Sequence, residues 1–169
     1  MENTHSTQVR AEIGSEKQRP KFSGFSHMSI PVRDTKESLR FFTEVLGAEL
    51  VFDREGFAEV QICGIIVGFS PQKEGWTGFE SEFPHYAFFI EGDQFIPMKE
   101  RLESYGVPTT QIWTRDGVRT LMYFRDPSGN LFEIYCPKGF KDAHKVPRGA
   151  RAGGDYEIDL GALNYDWKG

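Results

Sequence analysis

The sequence predicts an α+β fold: paired βαβββ modules that form a curved, cup-shaped mixed sheet with helices on the outer face. Three spacings carry this reading. His27 to His85 spans 58 residues, while Asp34 to Asp93 and Gly47 to Gly106 each span 59. The pairs mark a strand, a helix start and a helix stop in the same order, which is how a repeated supersecondary unit announces itself.

The elements follow in turn. Phe25–Val32 reads as a strand from its aromatic and β-branched content. Asp34, with Glu37 three positions on, resembles a capping box, and Leu39, Phe42, Val45 and Leu46 make a helical stripe that stops at Gly47. Three short strands follow at Glu49–Asp53, Phe57–Ile62 and Ile65–Ser70. The second unit repeats this order. His85–Ile90 is its strand, Asp93 its cap, and Phe95, Met98, Leu102 and Tyr105 its helical stripe, closed by Gly106. Strands recur at Thr110–Thr114, Thr120–Phe124 and Leu131–Cys136, the last entered through an Asp126-Pro127-Ser128-Gly129 turn.

At 169 residues the chain fits one domain, divided into a polar, disordered arm over 1–22, a body over 23–139 (modules 23–70 and 83–139) and an extension over 140–169. Between the modules, residues 71–84 have the Gly and Pro of a loop, a lid or a plain connector. In the extension, Tyr156, Ile158, Leu160, Leu163, Tyr165 and Trp167 are apolar enough to dock on the body or on a partner subunit.

A net charge of −5 argues against nucleic acid or an anionic membrane as partner. No apolar run approaches the roughly 20 residues of a membrane span, and residues 1–22 lack the apolar centre of a signal peptide, so a cytoplasmic location is expected. Two cysteines, Cys63 and Cys136, are too few for a disulfide scaffold and read as reduced, buried thiols.

Alternation then singles out three side chains. In the last strand Leu131, Glu133 and Tyr135 share one face, opposite Phe132, Ile134 and Cys136. His27 opposes Met28 and Ile30 in the first strand, and His85 opposes Tyr86 and Phe88 in the fifth. A closed cup would bring His27, His85 and Glu133 together. Two neutral imidazoles and a carboxylate hold a divalent metal with coordination positions left open. A carboxylate flanked by Phe132 and Ile134 also needs a cationic partner if it is buried.

The segment Gly24-Phe25-Ser26-His27-Met28-Ser29-Ile30-Pro31-Val32-Arg33-Asp34, the helix end Phe41–Gly47, the Pro84–Phe88 strand and the Asp126–Glu133 turn-strand together resemble the vicinal-oxygen-chelate superfamily. That group includes glyoxalase, fosfomycin-modifying enzymes, type I extradiol dioxygenases and bleomycin-binding proteins. The resemblance runs from about Gly24 to Gly139 and implies metal ligands at His27, His85 and Glu133. It also implies a homodimer in which one chain supplies the first-strand histidine and its partner the rest.

Glyoxalase-like members take a fourth ligand from the strand that falls here at Ile65–Ser70, which holds no His or Glu. Extradiol dioxygenases and fosfomycin transferases place a tyrosine ten residues before the glutamate, where Tyr123 stands as the catalytic candidate. The extradiol pattern also wants a histidine near Thr114-Arg115-Asp116, and the fosfomycin pattern a lysine within Thr110–Arg119; neither is present, although Arg115 and Arg119 offer cations. The leading expectation is an extradiol-like dioxygenase using Fe(II), with Mn(II) or Zn(II) as alternatives, acting on a small molecule that chelates through adjacent oxygens. The alternatives are a metal-dependent lyase, isomerase or thiol transferase, and a non-catalytic drug-binding protein.

Overall fold

The computed structural model describes residues 22–169, so the expected N-terminal arm, apart from Phe22, lies outside the described residues. The strands are β1 (His27–Val32), β2 (Glu49–Arg54), β3 (Phe57–Ile62), β4 (Ile65–Pro71), β5 (Tyr86–Phe89), β6 (Trp113–Thr114), β7 (Thr120–Arg125) and β8 (Leu131–Cys136). Helix α1 (Thr35–Arg40) runs into a π-helical turn at Phe41–Val45, and α2 spans Gly92–Ser104.

The duplication is exact in topology. One sheet has the order β1-β4-β3-β2 and the other β5-β8-β7-β6, with β1·β4 and β5·β8 parallel and the remaining neighbours antiparallel. The α+β class and paired modules stand, and the mixed sheet is realised as two four-stranded sheets. β1 and β5 each end a sheet, leaving one ladder side unpaired.

Local chemistry explains most boundaries. The Asp34 carboxylate accepts from the Lys36 and Glu37 backbone N–H groups at 2.8 and 3.0 Å, capping α1. Gly47 and Gly106 end the helices at φ of 74° and 73°. Asp93 does not cap α2. The helix starts at Gly92, where a Cβ would sit 2.4 Å from the Gly139 carbonyl oxygen, so Asp93 falls in the first turn. β6 is shorter than the sequence suggests because the Thr110 hydroxyl, rather than a backbone carbonyl, accepts from the Tyr123 N–H at 2.9 Å.

One core spans both modules. Phe42 lies 5.1 Å from Phe69 and 5.7 Å from Phe132, ring to ring, so the first helix packs on both sheets at once. Cys136 is buried in this core, but Cys63 is exposed. It sits at φ 52°, followed by Gly64 at φ 76°, as the two-residue turn joining β3 to β4, a place that faces water. Among the described residues no helix is long and apolar enough to cross a membrane.

A second, smaller cluster covers the opposite face of β6–β8. Trp113, Leu121, Tyr123 and Leu131 pack there with Leu163, and Tyr156, Ile158 and Leu160 lie against them. The extension thus docks on its own body. Its end is held by Trp167, whose indole N–H donates to the Tyr105 carbonyl at 3.0 Å. The 71–84 connector is also tied down: Trp76 N–H donates to the Ser128 carbonyl at 3.0 Å, and Arg125 donates to the Phe79 carbonyl at 2.7 Å.

Candidate metal centre

Strand alternation delivers two of the three expected ligands to one place. Glu133 pairs with Ala87 across the parallel β5·β8 ladder, and His85 immediately precedes β5. Glu133 is 2 % exposed. Its Oε2 lies 3.2 Å from His85 Nε2, yet it has no hydrogen-bond partner. Arg115 stands at the rim, its Nη2 3.6 Å from the same oxygen and its side chain 42 % exposed. The Glu133 carboxylate holds the His85 imidazole above the usual histidine range, against the opposing effect of burial.

The His85 tautomer is set from behind. Its Nδ1–H donates to the Glu82 carbonyl at 2.7 Å, which leaves Nε2 as the free lone pair. In the neutral ring the Nε2 lone pair and the carboxylate oxygen, 3.2 Å apart, repel; a proton on Nε2 or a divalent ion between them removes that repulsion, and the raised histidine pKa reports the same preference for positive charge here. Ligands about 2.1 Å from a metal and at right angles to one another stand about 3 Å apart, so the spacing suits a shared divalent ion. The donor set fits the expected metal.

Tyr123 is placed as its position suggests. It pairs with Glu133 across β7·β8, and its ring meets the His85 ring edge-on at 5.4 Å. Burial, then the Glu133 charge, pushes its phenol pKa far up, so the group stays a neutral donor. The fosfomycin-type lysine is absent, and Arg115 is the cation that the structure brings to Glu133; Arg119 instead pairs with Asp116 at 2.8 Å.

His27 is not part of this cluster. It is exposed on β1, in the other sheet, and among the described residues no three His, Cys, Asp or Glu side chains gather closely enough to hold a metal. Within one chain, then, His27 does not join His85 and Glu133. Glu82 escapes sequence reasoning for a different reason: it acts through its backbone carbonyl, which any residue possesses.

Comparison with known proteins agrees with this geometry. Glutathione transferase FosA from Serratia marcescens is 29 % identical over 114 residues, 65 % of this chain and 78 % of that protein. Metallothiol transferase FosB from Bacillus licheniformis is 27 % identical over 122 residues, 71 % and 79 % respectively. A fosfomycin resistance protein FosX variant from Listeria monocytogenes, solved with Mn(II) and 1S,2S-dihydroxypropylphosphonic acid, superposes with a TM-score of 0.60. It is 24 % identical, covering 73 % of this chain and 96 % of that one. The curated relatives are named as thiol transferases and not as dioxygenases, which favours the transferase alternative over the dioxygenase expectation. The family model matches residues 24–134, and the chain belongs to the Glyoxalase/Bleomycin resistance protein/Dioxygenase superfamily.

Proposed function

We propose that the protein is a divalent-metal-dependent enzyme, with Mn(II) favoured, that promotes attack of a thiol or water on a small anionic substrate bound through adjacent oxygens. One observation carries the reading: a buried carboxylate oxygen without a hydrogen-bond partner, 3.2 Å from the lone-pair nitrogen of a tautomerically fixed histidine. The relatives named as thiol transferases supply the reaction class, and the structure with Mn(II) supplies the choice of metal.

His85 and Glu133 would hold the metal, with His27 of a second copy as third ligand. The metal, when bound, supplies Lewis acidity that withdraws electron density from the chelated oxygens. Arg115 places a guanidinium beside the site, where it attracts an anionic head group. Tyr123, held neutral, donates a hydrogen bond to a substrate oxygen rather than taking a proton. Glu82 keeps the His85 ring oriented. A homodimer is part of the proposal because His27 is exposed on β1, a sheet edge, while β5 beside His85 is the matching edge of the other sheet.

The test is a Mn(II) titration of the full chain, followed by thiol consumption with fosfomycin and glutathione or cysteine. Wild-type protein should bind Mn(II) and consume thiol in its presence. Glu133→Gln should lose at least about a hundredfold in metal affinity while keeping its circular dichroism spectrum. Metal binding that survives this substitution unchanged would reject the site.

A further inference from the structure

A cavity of about 490 Å³ lies beside the metal pair and is built in part by residues beyond the superfamily match. We infer that it is a second half of the substrate site, one that receives an organic ammonium group carried on an aromatic or aliphatic body. Its role in the reaction rests on the metal-dependent reading above, which it deepens: the substrate has an oxygen-rich end for the metal and an amine-bearing end for this pocket.

Position is the first argument. Two walls of the cavity touch the site directly. The Phe83 ring lies 5.5 Å from the His85 ring, and the Trp113 ring 6.4 Å from that of Tyr123. One side is the loop whose Glu82 carbonyl orients His85; the other is the extension, through Arg151, Tyr156 and Leu160. The cavity and the metal pair are thus separated by no more than these two ring contacts.

Size is the second. Cavities of about 300–1,000 Å³ receive drug-sized ligands. The three-carbon phosphonic acid bound by the FosX variant would leave most of a 490 Å³ space empty.

Charge and chemistry are the third. Glu80, Glu82 and Glu157 line the cavity against a single cation, Arg151. Arg151 pairs with Glu82 at 2.6 Å and lies 5.4 Å above the Phe83 ring, so a cation already rests on this wall of carboxylate and aromatic face. Glu80 and Glu157 have no ion-pair partner among the described residues and remain to attract a second cation. Trp113, 4 % exposed, adds a second aromatic wall to that of Phe83. An amine on an aromatic or aliphatic body meets both the free carboxylates and the aromatic walls, and a neutral guest meets only the walls.

The test titrates the metal-free full chain calorimetrically with 2-phenylethylamine and with its neutral counterpart 2-phenylethanol, and separately with Mn(II). The amine should bind at least about tenfold more tightly than the alcohol. The Glu80→Gln/Glu157→Gln double variant should lose that preference, and Ala150→Phe, which fills the cavity, should abolish amine binding. Mn(II) affinity should be the same in all three proteins. Equal binding of amine and alcohol, absent amine binding, or amine binding that survives Ala150→Phe overturns the pocket. Amine binding as expected with no Mn(II) binding to wild type leaves the pocket standing and removes the metal-dependent reading instead.

Discussion

Tyr123 faces Glu133 across the β7·β8 ladder while its ring abuts His85, so the phenol shares its surroundings with both metal-ligand candidates. Burial and the adjacent carboxylate keep it protonated well beyond neutrality. Tyr123→Phe should therefore lower turnover about a hundredfold, the scale of losing one preorganised donor, and leave Mn(II) affinity unchanged. The wild-type rate profile should also show no tyrosine ionisation below pH 10. Full turnover in the Phe variant would remove Tyr123 from the mechanism.

Asp126 offers a test in pH. It is 1 % exposed, and burial pushes its carboxyl up to about 7, against hydrogen bonds from Asn130 and Ser128. An unfolded aspartate titrates near 3.9. Between these values the folded chain holds a proton that the unfolded chain has released, so stability falls as pH rises from about 4 to about 7. Urea unfolding in the presence of a chelator should show wild type losing more stability between pH 5 and 7.5 than Asp126→Asn does. Parallel pH dependences in the two proteins would contradict the assignment.

The parts legible in the sequence are those with short-range causes. β3, β7 and β8 fall within one residue of their expected ends because period-two alternation is local, and Gly47 and Gly106 mark helix ends because positive φ favours glycine. Asp93 misled because α2 starts one residue before it, with Glu91 at its N-cap and no side-chain cap, at a glycine that lets Gly139, far along the chain, come close. Glu133 and His85 were readable as ligand types on matching faces. That His27 lies apart was not, since the face a residue occupies in its own sheet does not say which part of the other sheet it meets. The extension was unreadable for a similar reason: Leu163 and Trp167 are apolar residues without a period, and only the surfaces they meet give them a place.

Trp167 tests how much the extension contributes to stability. It is 7 % exposed, meets Phe41 edge-on at 5.4 Å, and is covered by the Arg40 guanidinium at 5.5 Å. Deleting a buried aromatic costs about 3–5 kcal/mol, and the few buried neighbours of the extension point to the lower figure. Trp167→Ala should lower unfolding stability by about 3 kcal/mol, measured by urea denaturation. A loss under about 1 kcal/mol would show that the extension adds little to the fold.

The shared-site proposal has a test that needs no structure of a dimer. If His27 serves the site of the other copy, His27→Ala and Glu133→Gln each destroy both sites of a homodimer. Mixed by co-refolding, they form heterodimers in which one site draws its histidine from the Glu133→Gln chain and its remaining ligands from the His27→Ala chain. That site is intact, and the other lacks both. Random pairing makes half the dimers mixed, so about a quarter of the sites should recover, visible both as Mn(II) bound and as thiol consumed. Because His85 and Glu133 are already fixed within one chain, complementation cannot arise from refolding of a single copy. A mixture as inactive as its components would show that His27 does not cross between chains, and the proposed third ligand would have to be sought elsewhere.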